Sequence, residues 1–81
     1  MYWVYILQCA DGTLYTGITT DIARRIDEHN GILPNGARYT KPRRPVQLVY
    51  KKKFQNRSEA SREESRIKSL SREEKQKIVQ K

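Results

Sequence analysis

The chain has 81 residues, 36% apolar and 32% charged, with a formal net charge of +8. That length predicts one small domain over residues 1–81, and a single cysteine (Cys9) and a single histidine (His29) exclude an internal disulfide and a zinc centre of Cys and His ligands. The longest apolar run, Met1 to Leu7, is far short of the ~20 residues of a membrane span and follows no basic segment, so a cytoplasmic chain without membrane or export signals is expected.

Tyr2-Trp3-Val4-Tyr5-Ile6-Leu7-Gln8-Cys9 is rich in aromatic and β-branched residues and predicts a strand. It is apolar on both faces, as a central strand covered on both sides should be. Ala10-Asp11-Gly12-Thr13 is a turn signal, and Leu14 to Thr19 reads as the second strand of a hairpin. A helix follows, capped by Thr20 or Asp21 and ended by Gly31 near Asn30, with Ile22, Ala23 and Ile26 on its apolar face. Gly31 to Pro45 holds two glycines and three prolines and reads as an irregular loop. Val46 to Tyr50 predicts a third strand running on to Phe54. Asn56-Arg57-Ser58-Glu59 resembles a capping box opening a helix to about Lys68, and Ser71-Arg72-Glu73-Glu74 opens another, anchored by Ile78 and Val79. The expected order is ββαβαα, an α+β fold with a three-stranded antiparallel-type sheet flanked by helices.

The charge is unevenly placed. Gly31 to Ser58 contains no acidic residue and eight cations, whereas the rest of the chain is neutral, with nine basic and nine acidic residues. A contiguous cationic third favours a polyanion, through phosphate neutralisation and counterion release. Arg38, Tyr39, Lys41, Arg43, Arg44, Lys51, Lys52 and Lys53 are the expected nucleic-acid contacts. Lysines and arginines mixed with aromatic rings suit gripping a backbone rather than reading bases.

Three features place polar groups where apolar ones are expected. On the first helix, Ile22 and Ile26 define the inward stripe at 100° per residue. His29 points the same way and Arg25 sits at its edge, while Arg24 points outward. Taken singly, His29 is explained by the helix dipole and Arg25 by a stem that covers the core. On the second helix, Glu64 lies within the stripe of Ala60 and Ile67. A carboxylate there needs a cation or a metal, and Arg25 or another nearby cation would serve. In the hairpin, Tyr5 and Tyr15 are ten residues apart. A two-residue turn at Asp11-Gly12 would put them on opposite faces, and a three-residue loop with Gly12 left-handed would put them on one. Gly17 in that strand would leave room for a ligand beside Tyr15.

Val4-Tyr5-Ile6 followed by Tyr15-Thr16-Gly17 resembles the paired motif of the GIY-YIG nuclease superfamily. Asp21-x-x-x-Arg25-x-x-x-His29 is similar to that family's first helix, and Glu64 stands where its metal-binding glutamate does. Ala37-Arg38-Tyr39-Thr40, Pro45-Val46-x-Leu48-Val49-Tyr50 and Glu64-x-x-Ile67-Lys68-x-Leu70-Ser71-Arg72 resemble its small stand-alone bacterial members, the UPF0213 proteins. The resemblance implies a nuclease fold and single-metal hydrolysis of a phosphodiester; the expected protein is an endonuclease acting on DNA or structured nucleic acid, DNA before RNA, and a monomer. Glu64 would hold one Mg²⁺ or Mn²⁺ and Arg25 would clamp the phosphate. Tyr15 would activate water with help from Tyr5, and His29 would orient the phosphate or carry a proton. The chain departs from the motif at Trp3, in place of a glycine, and at Thr16, in place of an isoleucine. Ile18 stands where some repair-nuclease relatives carry a lysine. These departures, and the lack of room for a second, DNA-reading domain, keep open an alternative: a catalytically weak or inactive nucleic-acid-binding module using the same basic face.

Overall fold

The computed structural model describes residues 1–34 and 40–79. The sequence expectations at Ala37, Arg38 and Tyr39 lie outside the described residues. The elements are β1 (Tyr2–Cys9), β2 (Leu14–Thr19), α1 (Ile22–His29), β3 (Val46–Phe54), α2 (Arg57–Lys68) and α3 (Arg72–Val79), in the predicted ββαβαα order. In the segment expected to be irregular, Lys41–Arg43 forms a 3₁₀ turn.

The sheet is antiparallel throughout, in the order β2-β1-β3. β1 is central, and Val4, Tyr5, Ile6 and Leu7 are each no more than 1% exposed. Side chains alternate along a strand, so β1 serves two cores at once. Tyr5, Leu7 and Cys9 pack with Val46, Tyr15, Leu48 and the α1 residues Ile22 and Ile26. Val4 and Ile6 pack on the other side with Ala60 and Ile67 of α2 and with Ile78 and Val79 of α3. The one-helix face carries most of the polar residues singled out in the sequence.

The hairpin has a three-residue loop. The Gly12 N–H donates to the Cys9 carbonyl at 2.9 Å, and the Cys9 N–H donates to the Thr13 carbonyl at 2.8 Å. Gly12 sits at φ 85°, in the left-handed region where a Cβ is penalised. The register that follows sets Tyr5 opposite Gly17 and Leu7 opposite Tyr15. Both tyrosines therefore share the α1 face.

Between β1 and β3 the register slips. Ile6 pairs with Tyr50 but Leu7 pairs with Leu48, which leaves Val49 as an extra residue on β3. Such a bulge exchanges the faces of everything beyond it. Leu48 and Val46 look toward α1, and Tyr50 packs on the α2 side with Val4 and Ile6. After the bulge Lys51 stands opposite Tyr5 and Lys53 opposite Trp3, whereas Lys52 falls on the other face. The three lysines expected to act as one patch are thus divided by the sheet.

Asp21 rather than Thr20 caps α1, accepting from the Arg24 N–H at 3.0 Å. Asn56 caps α2 through the Glu59 N–H at 2.9 Å. At α3 the box is reciprocal: the Ser71 N–H donates to Glu74 Oε1 at 3.0 Å, and the Glu74 N–H donates to Ser71 Oγ at 3.2 Å. α3 buries no residue fully, so its start depends heavily on that cap. Ser71→Ala is expected to cost about 1 kcal/mol, read as a lower urea midpoint in chemical denaturation.

Candidate active site

Tyr5 projects from β1 across to β2. A Cβ built on Gly17 would lie 2.6 Å from the Tyr5 hydroxyl and 2.8 Å from the carbon bearing it. The space above Gly17, expected to admit a ligand, is filled by the Tyr5 phenol. Glycine is required there because the ring crosses the neighbouring strand at backbone distance.

The phenol ends at His29, the last residue of α1. Tyr5 Oη and His29 Nε2 are 3.0 Å apart, and His29 Nδ1 lies 2.8 Å from Thr40 Oγ1. His29 and Thr40 are fully buried. Arg25, one turn earlier on α1, also hydrogen-bonds the Tyr5 hydroxyl. A guanidinium only donates, so Tyr5 accepts from Arg25 and needs an acceptor for its own proton. His29 Nε2 is that acceptor, which makes Nδ1 the protonated nitrogen, donating to Thr40. Burial first, and then the Arg25 charge, depress the His29 pKa to about 4. His29 is therefore a neutral imidazole near pH 7, not the charged last-turn histidine that the helix dipole alone suggests. Burial raises the Tyr5 pKa to about 12, so Tyr5 stays a phenol.

Tyr15 completes the aromatic group. Its ring centre lies 5.0 Å from His29 and 6.5 Å from Tyr5, and it is the partly exposed member of the three.

Arg25 forms its ion pair with Glu28, at 2.7 Å and three residues along α1. Glu64 pairs with Lys68 at 3.4 Å, four residues along α2. The Arg25–Glu64 bridge considered from sequence is therefore replaced by two within-helix pairs. Glu64 is partly exposed, with 21% of its side chain accessible. Its charge acts on Tyr5, so α2 brings this carboxylate into electrostatic range of the phenol. Glu28 was not singled out from sequence, and Thr40 entered only within a motif resemblance, with no role of its own. Glu28 carries the helical i,i+3 signal beside Arg25, whereas Thr40 reaches His29 across a loop and leaves no local pattern.

The expected nucleic-acid contacts divide. Arg43 pairs with Asp11 at 3.1 Å, and its carbonyl accepts from the Ala10 N–H at 2.9 Å, tying the loop to the hairpin. Arg44 Nε donates to the His29 carbonyl at 2.6 Å and closes the end of α1. Lys41 is exposed. The ammonium groups of Lys51 and Lys53 lie 5.3 and 5.4 Å from the Trp3 ring centre, and that of Lys52 lies 5.5 Å from Phe54. Arg38 and Tyr39 lie outside the described residues. Among the described residues no cluster of three or more His, Cys, Asp or Glu side chains could hold a metal, and no helix is long and apolar enough to cross a membrane.

Tyr5, Tyr15, Arg25 and His29 gather on the α1 side of the sheet, and Glu64 acts on Tyr5 from α2. The chain matches the GIY-YIG catalytic domain over residues 1–77, and it belongs to the GIY-YIG family. Within that family it is similar to UPF0213 proteins. One from Desulfotalea psychrophila is 62% identical over 96% of this chain and 70% of its own length. Another, from Halobacterium salinarum, is 51% identical over 94% and 96%. The similarity thus reaches archaea as well as bacteria. The solution NMR structure of a UPF0213 protein from Bacillus halodurans superposes with a TM-score of 0.62 at 46% identity, covering 98% of this chain and 83% of that one. A protein from E. faecalis gives 0.65 at 41% identity, covering 96% and 81%. GIY-YIG domains are typically those of endonucleases, and these nucleases generally use a divalent metal.

Two outcomes follow from this geometry. Gly17→Ala drives a methyl into the Tyr5 ring, which is held at its far end by His29, and is expected to cost about 1–3 kcal/mol in denaturant unfolding. The second concerns pH. An unfolded histidine titrates near 6.5, above the folded value of about 4. The unfolded chain therefore takes up the proton first as pH falls. The stability from neutral His29 is complete above about pH 6.5 and drains away toward pH 4, a loss of up to about 3 kcal/mol. Urea midpoints across that range should fall further in the wild type than in His29→Gln.

Proposed function

We propose that this chain is a metal-dependent endonuclease hydrolysing phosphodiester bonds in DNA or structured nucleic acid, acting as a single cytoplasmic domain and a monomer. The observation that carries the reading is the hydrogen-bonded chain Arg25–Tyr5–His29–Thr40, buried beside Tyr15 and within the field of Glu64. Binding alone needs neither a buried phenol fixed at both sides nor a carboxylate that repels phosphate.

The donors fit a cation shared with substrate. Glu64 is one partly exposed carboxylate without a surrounding ligand cluster among the described residues, which suits Mg²⁺ or Mn²⁺ completed by waters and a phosphate oxygen. Held by Glu64, the ion would supply Lewis-acid stabilisation of the charge developing on the leaving oxygen. Arg25, steadied by Glu28, presents guanidinium donors to the scissile phosphate. Tyr15, at the accessible end of the aromatic group, accepts a hydrogen bond from the attacking water and aims it at phosphorus. The new bond is water oxygen to phosphorus, and the bond broken is phosphorus to the leaving oxygen; the proton that the water loses passes by way of the Tyr15 hydroxyl to solvent, and the leaving oxygen takes a proton from a solvent water. Tyr5 remains protonated and acts by holding Arg25 and His29 in place. His29 stays neutral and fixes the Tyr5 hydroxyl through Nε2.

A second reading, a catalytically weak binding module, is favoured by the Glu64–Lys68 pair, which occupies the carboxylate that a cation would need. Nicking of supercoiled and branched DNA with Mg²⁺ or Mn²⁺, by wild type and Glu64→Gln, separates the two. Metal-dependent nicking that collapses in Glu64→Gln is expected. Stability should change by only about 0.3–0.5 kcal/mol, because the lost pair is an accessible i,i+4 contact. Wild-type cutting by a well-folded Glu64→Gln would remove Glu64 from the mechanism, and no cutting by the wild type on any of these substrates would favour the binding module.

A further inference from the structure

The geometry points to a base-stacking subsite at Trp3, flanked by Lys51 and Lys53, that takes an unpaired nucleotide next to the cut. The inference rests on the nuclease reading above and names the substrate class: strands with an unstacked base beside the scissile phosphate, such as single-stranded segments, flaps or junctions.

Trp3 occupies the position where the family motif has no side chain, and it points to the same face as Tyr5. Two residues along a strand is about 7 Å, the scale of one extended nucleotide. The core on this face consists of Tyr5, Leu7, Cys9 and Val46 with Tyr15, Ile22, Ile26 and Leu48 packed against it. Trp3 is not among them and is left partly exposed. What covers its ring is charge: the exposed Lys51 and Lys53 ammonium groups, 5.3 and 5.4 Å from the ring centre. Both belong to the acid-free segment from Gly31 to Ser58.

An exposed cation–π contact is weaker than base stacking on an aromatic face. A nucleobase can therefore displace the ammonium groups from the ring. The two lysines then lie beside the phosphates on either side of that base. The charges that cover the empty ring are thus the ones the bound strand requires. A blunt duplex does not fit this arrangement, because its bases are already stacked on each other and unstacking them costs free energy.

Trp3 is the sole tryptophan of the chain, so its fluorescence reports on the subsite directly. The wild-type protein, kept in EDTA to prevent cutting, would be titrated with a single-stranded oligothymidylate, an abasic strand of equal length and a blunt duplex. Quenching by the oligothymidylate alone is expected. Trp3→Ala should weaken its binding about tenfold by anisotropy, and Trp3→Phe should recover most of the loss, which also controls for folding. Equal quenching by the abasic strand, unchanged affinity in Trp3→Ala, or no binding at all would overturn the proposal. Cleavage with Mg²⁺, measured in parallel, keeps the two readings apart. A strand that is cut without quenching sinks the stacking subsite and leaves the nuclease. Base-dependent quenching without cleavage upholds the subsite and sinks the nuclease.

Discussion

A phenol hydroxyl buried between a central strand and helix α1 must find a donor and an acceptor within the protein. Tyr5 finds both on α1, in Arg25 and His29, and much of the site follows from that demand. The ring reaches α1 by crossing β2 where Gly17 has no side chain. The histidine that receives its proton must be neutral, and burial beside a guanidinium makes it so. The far nitrogen must then donate, and Thr40, arriving from the loop, accepts. Each partner removes a freedom from the next, so the Arg25 guanidinium is held by the folded protein itself. Preorganisation of this kind is what electrostatic stabilisation of a transition state requires.

The same central strand divides the labour between its faces. Val4 and Ile6 are committed to the apolar layer under α2 and α3, while Tyr5, Leu7 and Cys9 build the layer under α1. The buried His29 belongs to the α1 side, whereas on the α2 side Thr16 is the buried polar neighbour of Ile6 within an otherwise apolar layer. Glu64 links the two sides. It is carried on α2 but is felt by Tyr5, and its partner there is a flexible lysine rather than a fixed arginine. A carboxylate held by an exposed ammonium can change partners at little cost.

Periodicity made the elements legible in the sequence: strand alternation, the Ile22–Ile26–His29 stripe and the capping signals at Asp21, Asn56 and Ser71 all have local causes. The shared face of the two tyrosines was legible only conditionally, because it depends on whether Gly12 closes a two- or a three-residue loop. Of the partners expected for Glu64, Arg25 or another nearby cation, the second holds: Glu64 takes Lys68 one turn along α2, and Arg25 takes Glu28, three residues away on its own helix. Thr40 could not be found, since its contact with His29 is made by loop closure rather than by any period. Gly17 was read as space for a ligand because sequence does not reveal which ring will cross it. The lysine patch was read as continuous because Lys51, Lys52 and Lys53 tolerate either face, and a register slip at Val49 has no signature in such a run.

That slip gives β3 an unusual relation to chain length. Val49 is opposed by no residue of β1, so its loss would join Leu48 directly to Tyr50 and leave an unbroken ladder in which Leu7 still faces Leu48 and Ile6 still faces Tyr50. Tyr50 and Phe54 would keep the α2 layer, and Lys51 and Lys53 the side on which Tyr5 and Trp3 stand. The strand thus holds one residue more than its pairing needs. A deletion there removes the bulge and its added twist without exchanging inside for outside.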